Sequence, residues 1–378
     1  MSVTTTTTKQ LAPPTTVGIL RPTIQREPEA VGQRIAPSLQ YHGRTLDVVE
    51  EKMYQKRKWA YLRGAYENTK AMGIMPHVIL MAMTIIFNKS PLAPMLYTWL
   101  NSYDQWTIWV VVSATIFTVT EIAVIALFTY LDLCQPQWIA KYKVQPNKHS
   151  TWKDIKKAIP TVAFNMFVVN TLSNLAFVHL ARWRGNSTRF EDLPGGWKLF
   201  GQWFVCLMAE EVGFYFVHRA LHHRSVYKHI HKQHHEYKAP SSISATYAHP
   251  IEYYFSNIMP IVVGLIITGG HWSLQMMFFH GLMIGTHAHH SGYNLPFLTV
   301  ALPHDWHHYY TNENFGAIGL LDGIFKTDTV YKAWIASVQS EFEKTKVKGG
   351  AKHVMYHEVA AEILNRYEDE QEAEELAK

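Results

Sequence analysis

Residues 197–223 read WKLFGQWFVCLMAEEVGFYFVHRALHH and join an apolar run to a cluster of histidines. The apolar part is close to the roughly 20 residues that a helix needs to cross a bilayer. At its end His218 and His222 are four positions apart and therefore share one helical face. His223 lies about 100° further round the helix. These residues predict a membrane helix that ends in a histidine-rich segment.

Other apolar segments occur on both sides of this stretch. Each is close to the length of a membrane-crossing helix, and the last two are joined by only a few residues. They comprise residues 76–100, 106–131, 158–181, 251–269 and 272–286. We therefore predict an all-α fold, a polytopic membrane protein with about four transmembrane helices plus a membrane-associated hairpin. A cytosolic, helical, histidine-rich domain is expected to cap these helices.

The composition favours a membrane protein and excludes other classes. Hydrophobic residues make up 48% of the chain and charged residues 17%, against about 25% charged in an average soluble domain. The mean hydropathy of -0.10 is low for such a protein because polar tails dilute the apolar segments. The net charge of +5 includes no basic tract, which excludes nucleic acid as a partner. The two cysteines supply neither a disulfide framework nor a cysteine-based zinc site.

The chain divides into four predicted regions. Residues 1–45 are rich in Thr, Pro and Gln and are predicted to be a disordered tail without a cleavable signal peptide. Residues 46–200 are predicted to form membrane-anchoring helices, and residues 201–330 contain the histidine motifs. Residues 331–378 are predicted to form a helical tail with a solvated acidic end.

The distribution of lysine and arginine predicts the orientation. Basic residues are concentrated in residues 46–72 and in the loop between segments 106–131 and 158–181. Basic loops of membrane proteins remain on the cytoplasmic side. Two predicted crossings separate the two basic regions, which agrees with both regions lying on the cytoplasmic side. Segments 158–181 and 197–217 then cross twice more and return the chain to that side. An even number of crossings over residues 251–286 returns the chain there again. All the histidine motifs are therefore expected at the cytosolic face.

Two more histidine motifs follow the first. Residues 231–235 read HKQHH and residues 304–308 read HDWHH, which places histidines at positions i, i+3 and i+4 of a helix. A further segment, THAHHSGY, occupies residues 286–293, and residues 218–308 contain 16 of the 22 histidines. Protonated rings at this density would repel one another. Metal ions remove that cost because they bind the neutral imidazole lone pairs.

The number of histidines predicts two metal ions. Nitrogen ligands favour iron, zinc or copper, and the candidates outnumber the three or four ligands of one zinc site. The alternative is a set of solvated histidines near lipid headgroups. His249 is equally open as a metal ligand and as a residue that contacts the ligands or lines the substrate pocket. His287 is a possible ligand. The candidate ligands are His218, His222, His223, His231, His234, His235, His290, His304, His307 and His308.

Glu211, Tyr215 and Asp305 are candidate catalytic residues. Glu211 and Tyr215 lie on the helical stripe that continues to His218. A carboxylate within an apolar span is costly, which indicates a function. We expect Glu211 to accept an N–H from a ligating imidazole and fix its orientation, and we expect the same of Asp305. Glu236 is a weaker candidate for such a contact.

The order and spacing of these motifs resemble the fatty acid hydroxylase superfamily, which includes methylsterol monooxygenases, sterol desaturases and fatty acid hydroxylases. The matching stretches run from Glu210 to Asp328 and include HKQHHEYKAP, YAHPIE, HSGYNLP, HDWHH and LLDGIFKTD. Among these groups, the methylsterol monooxygenases are the most similar. The family varies between three and four intervening residues in the first motif, which leaves both His222 and His223 open as the primary ligand.

The resemblance implies a multi-pass enzyme of the endoplasmic reticulum membrane with an active site that faces the cytosol. It implies two iron ions (zinc is an alternative occupant in purified material) and O2 as co-substrate. Electrons would come from NAD(P)H through cytochrome b5 and its reductase, as separate proteins.

The implied reaction is hydroxylation of an unactivated C–H bond in a membrane lipid, on a sterol methyl group or an acyl chain. The ligand spacing does not separate this reaction from two alternatives. These are a sterol or lipid desaturase on the same centre and a non-catalytic metal-binding membrane protein.

Overall fold

The structure, a computed structural model, describes residues 74–140, 142–145, 148–295, 298, 300–333 and 335–336, together with residues 40, 41, 44 and 45. The basic stretch 46–72 and most of both predicted tails lie outside the described residues. Within them, Gln40–Tyr41 (β1) pairs antiparallel with Arg44–Thr45 (β2), and an isolated bridge joins Lys143 to Tyr293. The other regular structure in the described residues is helical, which confirms the predicted helical fold.

The first apolar segment is a broken helix. Met75–Lys89 (α1) and Leu92–Leu100 (α2) meet at an angle of 81°. Pro91 lacks a backbone N–H and cannot extend α1, while the Ser90 hydroxyl oxygen accepts the N–H of Leu92. The sequence predicts a weak span over residues 76–100 that is interrupted at Asn88, Lys89, Pro91 and Pro94, and the structure bends within this interrupted stretch.

Within the described residues, three long helices are apolar enough to cross a membrane, namely α3 (Thr107–Cys134), α5 (Trp152–Arg184) and α8 (Pro250–Thr268). The short helix α4 (Gln137–Ala140) follows α3. Val119 and Leu127 of α3 are 61% and 55% exposed, as expected of apolar side chains that face lipid. If the bent pair α1 and α2 is counted as one span, the described residues contain up to four candidate spans.

Two further long helices carry histidines and fall outside this set of candidate spans. Segments 197–217 and 272–286, predicted as the fourth span and as part of the hairpin, lie on these two helices. Charged residues lower the mean hydropathy of the first of these helices, and histidines lower that of the second. These helices and the shorter ones around them are α6 (Gly196–Leu221), α7 (Arg224–Tyr227), α9 (Trp272–His290), α10 (Leu302–Tyr310) and α11 (Leu320–Phe325).

Close packing of α6 against α8 fixes the position of the first histidine motif. A Cβ added to Gly264 of α8 would lie 2.7 Å from Cα of Cys206, and one added to Gly213 would lie 2.8 Å from the Pro260 side chain. The missing side chains allow the two backbones to approach closely. Helix α9 packs against α1 and α3. The C-terminal ends of α6 and α9 are thereby held beside the remaining histidine motifs.

Candidate metal centre

Ends of helices and one short 3₁₀ segment carry the candidate ligands. His218 lies in the last turn of α6 and His222 is its C-terminal cap, while His290 is the last residue of α9. The second motif forms a 3₁₀ segment, His231–Glu236, and not the α-helix assumed from its spacing. In a 3₁₀ segment residues i and i+3 are eclipsed. The rings of His231 and His234 accordingly stack, with centroids 5.4 Å apart.

Nine of the ten candidate ligands form two adjacent groups of converging ring nitrogens, and within each group these atoms lie within 4.8 Å of one another. The ring centroids of His235 and His308, which belong to different groups, are 4.7 Å apart. Group one contains His218, His222, His231, His235 and His307, and group two contains His234, His290, His304 and His308.

The nitrogen separations fit metal ligation. In group one the Nε2 atoms of His222 and His231 are 2.8 Å apart, and those of His235 and His307 are 3.2 Å apart. In group two the Nε2 atoms of His290 and His304 are 2.8 Å apart. Two nitrogens that each lie about 2.1 Å from one ion are about 2.8–3.4 Å apart when their bonds meet at about 84–109°. The donor set therefore fits two nitrogen-ligated transition-metal ions.

The electrostatic environment keeps these rings neutral. Burial, followed by the neighbouring imidazoles, lowers the pKa of His231, His235 and His307 well below the ordinary histidine value. For His234, burial and then the nearby His218 lower the pKa to about 3. A neutral imidazole presents a free lone pair, which is the form that binds a metal ion.

The opposite ring nitrogens are held by fixed acceptors. Nδ1 of His218 donates to the carbonyl of Phe315 at 2.9 Å, and Nδ1 of His307 donates to the carbonyl of Glu313 at 2.6 Å. Nδ1 of His290 similarly donates to the Thr286 carbonyl at 2.8 Å. A hydrogen bond at Nδ1 fixes the tautomer and directs Nε2 towards the metal position.

Glu252 supports His231 and was not identified from the sequence. Its Oε1 accepts the Nδ1 proton of His231 at 2.7 Å, and both side chains are almost completely buried. The carboxylate increases the basicity of the imidazole that it contacts. Its location offered a signal, because Glu252 is a carboxylate at the start of an apolar stretch, where a charge is costly.

Glu211 contacts a loop and not an imidazole. Its two carboxylate oxygens accept the backbone N–H groups of Ile318 and Leu321 at 2.9 and 2.8 Å. Asp322 accepts the N–H groups of Phe315 and Gly316 in the same loop. Together the two carboxylates hold the loop whose carbonyls bind the rings of His218 and His307.

We expect Glu211→Gln to destabilise the protein through this loop. The new amide turns a donor towards a buried backbone N–H, which costs about 1–3 kcal/mol of unfolding free energy. Glu210→Gln is a matched control, because Glu210 is buried next to Glu211 and its Oε2 has no hydrogen-bond partner among the described residues. Thermal unfolding of the purified protein should show a lower transition for Glu211→Gln alone. Equal unfolding temperatures for the two variants would contradict the inference that Glu211 holds this loop.

Asp305 contacts an amide and belongs to a polar bridge between α9 and α10. Its Oδ1 accepts the side-chain amide of Gln145 at 2.6 Å, and burial raises its pKa to about 7. Lys143 forms a buried salt bridge with Asp132 at 2.5 Å, and the N–H of Val144 donates to the carbonyl of Gly292. Residues 142–145 thus connect the end of α9 to the third histidine motif.

The other candidate residues lie outside both groups. His223 is exposed, and its Nδ1 accepts the N–H of Ser225. His249 caps the N-terminus of α8 through the N–H of Ile251, and His287 contacts Ser242. Tyr215 is buried, with its hydroxyl 3.0 Å from an Arg219 nitrogen and 3.2 Å from the Thr327 hydroxyl. Glu236 accepts the hydroxyl of Tyr247 and pairs with Lys157.

Comparison with known proteins identifies a relative that matches most of the chain. A family profile described as Fatty acid hydroxylase matches residues 203–327. Fatty acid hydroxylase ahd1 of Mycosarcoma maydis is 49% identical over 330 residues, covering 85% of this chain and 86% of the relative. No solved structure matches the chain significantly.

Two animal proteins match a shorter part of the chain. Fatty acid hydroxylase domain-containing protein 2 of Homo sapiens is 37% identical over 200 residues, 52% of this chain and 60% of the relative. Methylsterol monooxygenase 1 of Gallus gallus is 31% identical over 222 residues, 54% of this chain and 75% of the relative. The histidine groups lie within the segment matched by the family profile, and the chain belongs to the fatty acid hydroxylase family.

Proposed function

We propose that the chain hydroxylates an unactivated C–H bond of a membrane lipid with O2 at a centre of two iron ions. The lipid is a sterol with a methyl group to be oxidised, or a lipid with an acyl chain. The observation that carries this proposal is the pair of adjacent, buried, neutral histidine groups beside candidate membrane spans. Membership of the family and the methylsterol monooxygenase relatives support the same reaction class.

The histidines of groups one and two would hold one iron ion each. When bound, the iron supplies the redox chemistry that activates O2 and oxidises the C–H bond, with electrons that originate from NAD(P)H. Group one offers five donors and group two offers four. All-nitrogen donor sets suit iron better than the oxygen-preferring magnesium and calcium.

The protein positions these rings and excludes water. The Phe315 ring contacts His222 and His307, with centroids 5.1 and 5.7 Å apart, and shields group one from solvent. Backbone carbonyls and Glu252 fix the Nδ1 protons of four rings, so the ring nitrogens are oriented before a metal ion binds. A dry and rigid site strengthens electrostatic interactions with a bound substrate.

The same proposal includes a location and an electron donor. The active site would face the cytosol from the endoplasmic reticulum membrane, and cytochrome b5 with its reductase would deliver electrons as separate proteins. Exposed Arg224, Lys228 and Lys232 flank the histidine groups. A cationic surface of this kind favours association with a partner that has an acidic docking face.

Metal analysis and lipid analysis together test the proposal. The full chain, purified from iron-replete cells, should contain two iron ions per chain. Cells that express it should accumulate a lipid product 16 daltons heavier than its precursor by mass spectrometry, relative to cells without it. A product two daltons lighter would instead identify a desaturase. Fewer than two metal ions per chain together with an unchanged lipid profile would refute the proposed function.

A further inference from the structure

Glu313 links the third histidine motif to a later helical segment of the chain. It follows α10 and is 5% exposed. Residues 329–333 and 335–336 are helical, and we call them the C-terminal segment. The backbone carbonyl of Glu313 accepts the Nδ1 proton of His307 at 2.6 Å, while its side chain contacts the start of the C-terminal segment. One residue therefore joins a candidate metal ligand to a separate part of the chain.

The carboxylate of Glu313 caps the C-terminal segment. Its Oε1 accepts the backbone N–H of Val330 at 2.7 Å and the hydroxyl of Thr329 at 3.1 Å. Its Oε2 accepts the N–H of Tyr331 at 2.6 Å. The first N–H groups of a helix have no partner within that helix, and the helix dipole stabilises a negative charge at this end. Three donors thus fix the position of the buried carboxylate.

The backbone next to Glu313 is fixed as well. Asn314 has a φ of 57°, in the left-handed region that asparagine enters more readily than most residues. Its N–H donates to the carbonyl of Thr327 at 2.8 Å, and its side-chain amide donates to the carbonyl of Pro303 at 3.1 Å. Pro303 lies in the first turn of α10. The turn at Asn314 is therefore tied to α10 and to the residues that precede the C-terminal segment.

A further contact places the C-terminal segment against α10. The ring centroids of Tyr331 and Trp306 are 6.0 Å apart, and both side chains are buried. Trp306 directly precedes His307 in the chain. The C-terminal segment therefore packs against the neighbour of a candidate ligand and also binds the residue whose carbonyl orients that ligand.

We propose that Glu313 is a positioning residue of group one, through which the C-terminal segment determines the orientation of the His307 ring. The carbonyl of Glu313 fixes this ring in the way that an acceptor at Nδ1 fixes a metal ligand, and the carboxylate of Glu313 holds that carbonyl in place. In group two, Nδ1 of His290 donates to the Thr286 carbonyl of α9 instead. Loss of the Glu313 carboxylate should therefore weaken metal binding at group one and leave group two unchanged. This inference rests on the metal centre of the proposed function and not on the reaction.

Metal affinity measured separately for each group tests this inference. The variant His234→Ala with His308→Ala keeps group one, and His231→Ala with His235→Ala keeps group two. Glu313→Gln is introduced into each of them, and a chelator competes for Zn²⁺ with the full chain in lipid nanodiscs. The Gln amide keeps the size of the side chain but turns a donor towards a backbone N–H. The Zn²⁺ affinity should fall by about tenfold or more at group one and by less than about twofold at group two.

Lys332→Gln is the matched control. Lys332 lies in the C-terminal segment, its side chain is 52% exposed, and it pairs with Asp328. An exposed ion pair contributes little, so both Zn²⁺ affinities should remain those of the parent chains.

Thr329→Val is a milder second variant for the case in which Glu313→Gln does not fold. It removes one of the three donors to the Glu313 carboxylate and retains the two backbone N–H groups. The Zn²⁺ affinity of group one should fall by about two- to fivefold, and that of group two should not change. Helix content by circular dichroism verifies that each variant folds.

Equal losses of affinity at both groups would overturn the inference, because they would show that Glu313 only stabilises the fold. An unchanged group one affinity in a folded Glu313→Gln chain would also overturn it. If that variant does not fold, an unchanged group one affinity in Thr329→Val would do so. A chain that oxidises lipid without a loss specific to group one refutes the positioning role alone. A chain that shows the specific loss but forms no oxidised lipid refutes the proposed reaction alone.

Discussion

Replacement of two ligands within one histidine group should remove one metal ion and leave the other. We expect His231→Ala with His235→Ala to empty group one, and His234→Ala with His308→Ala to empty group two. Each pair removes two of the donors that converge on one position. The metal content should fall from two ions to one per chain, and product formation should fall by more than about 100-fold, beyond the effect of losing a supporting contact.

His223→Ala is the matched control for this experiment. His223 directly follows His222 in the chain, but its side chain is exposed and lies outside both groups. We expect this variant to retain two metal ions and most of its activity. Elemental analysis of the purified variants measures the metal content. If either pair removed both ions or neither, two separate centres would not describe this protein.

Loss of Glu252 should weaken the metal centre without removing a ligand. Glu252→Ala leaves the buried Nδ1 proton of His231 without its acceptor and removes the carboxylate that raises the basicity of the ring. We expect a reduction of about 10–100-fold in metal affinity. Glu252→Gln retains an acceptor but not the charge, so its effect should be smaller. Competition with a chelator of known affinity measures both.

Glu236→Gln is the control for the carboxylate. Glu236 belongs to the segment of the second motif, but it contacts Tyr247 and Lys157, and its side chain is 40% exposed. Exposed ion pairs contribute little, about 0–1 kcal/mol, so metal affinity should not change. A Glu252→Ala variant with the same metal affinity as Glu236→Gln would show that the contact with His231 does not tune the ligand.

The helices and the histidine motifs were predictable because both follow periodic patterns in the sequence. Apolar runs of sufficient length predicted α3, α5 and α8, and the spacing of four residues predicted the shared face of His218 and His222. The break between α1 and α2 was visible as Pro91, although its angle was not. Sequence spacing also suggested a helix for the second motif, and the structure shows a 3₁₀ segment there.

The contacts of the carboxylates were not predictable in the same way. Glu211 was expected to contact an imidazole because both lie on one stripe of α6. The loop after α10 reaches Glu211 instead, and its backbone N–H groups occupy both oxygens. Glu252 contacts His231 across a separation of 21 residues. Such contacts depend on the path by which a loop returns to a helix. That path leaves no periodic pattern in the sequence.

By itself, the sequence determined that this is a helical chain with apolar spans and enough histidines for two metal ions. It left His222 and His223 equally open as ligands. The tertiary structure shows which of the two rings faces the other histidines. His222 caps the end of α6, and its ring contacts His231 and His307, whereas the His223 side chain is exposed. The physical reason is that periodicity fixes only the face of a helix, whereas the packing of several chain segments fixes where that face ends and what it meets.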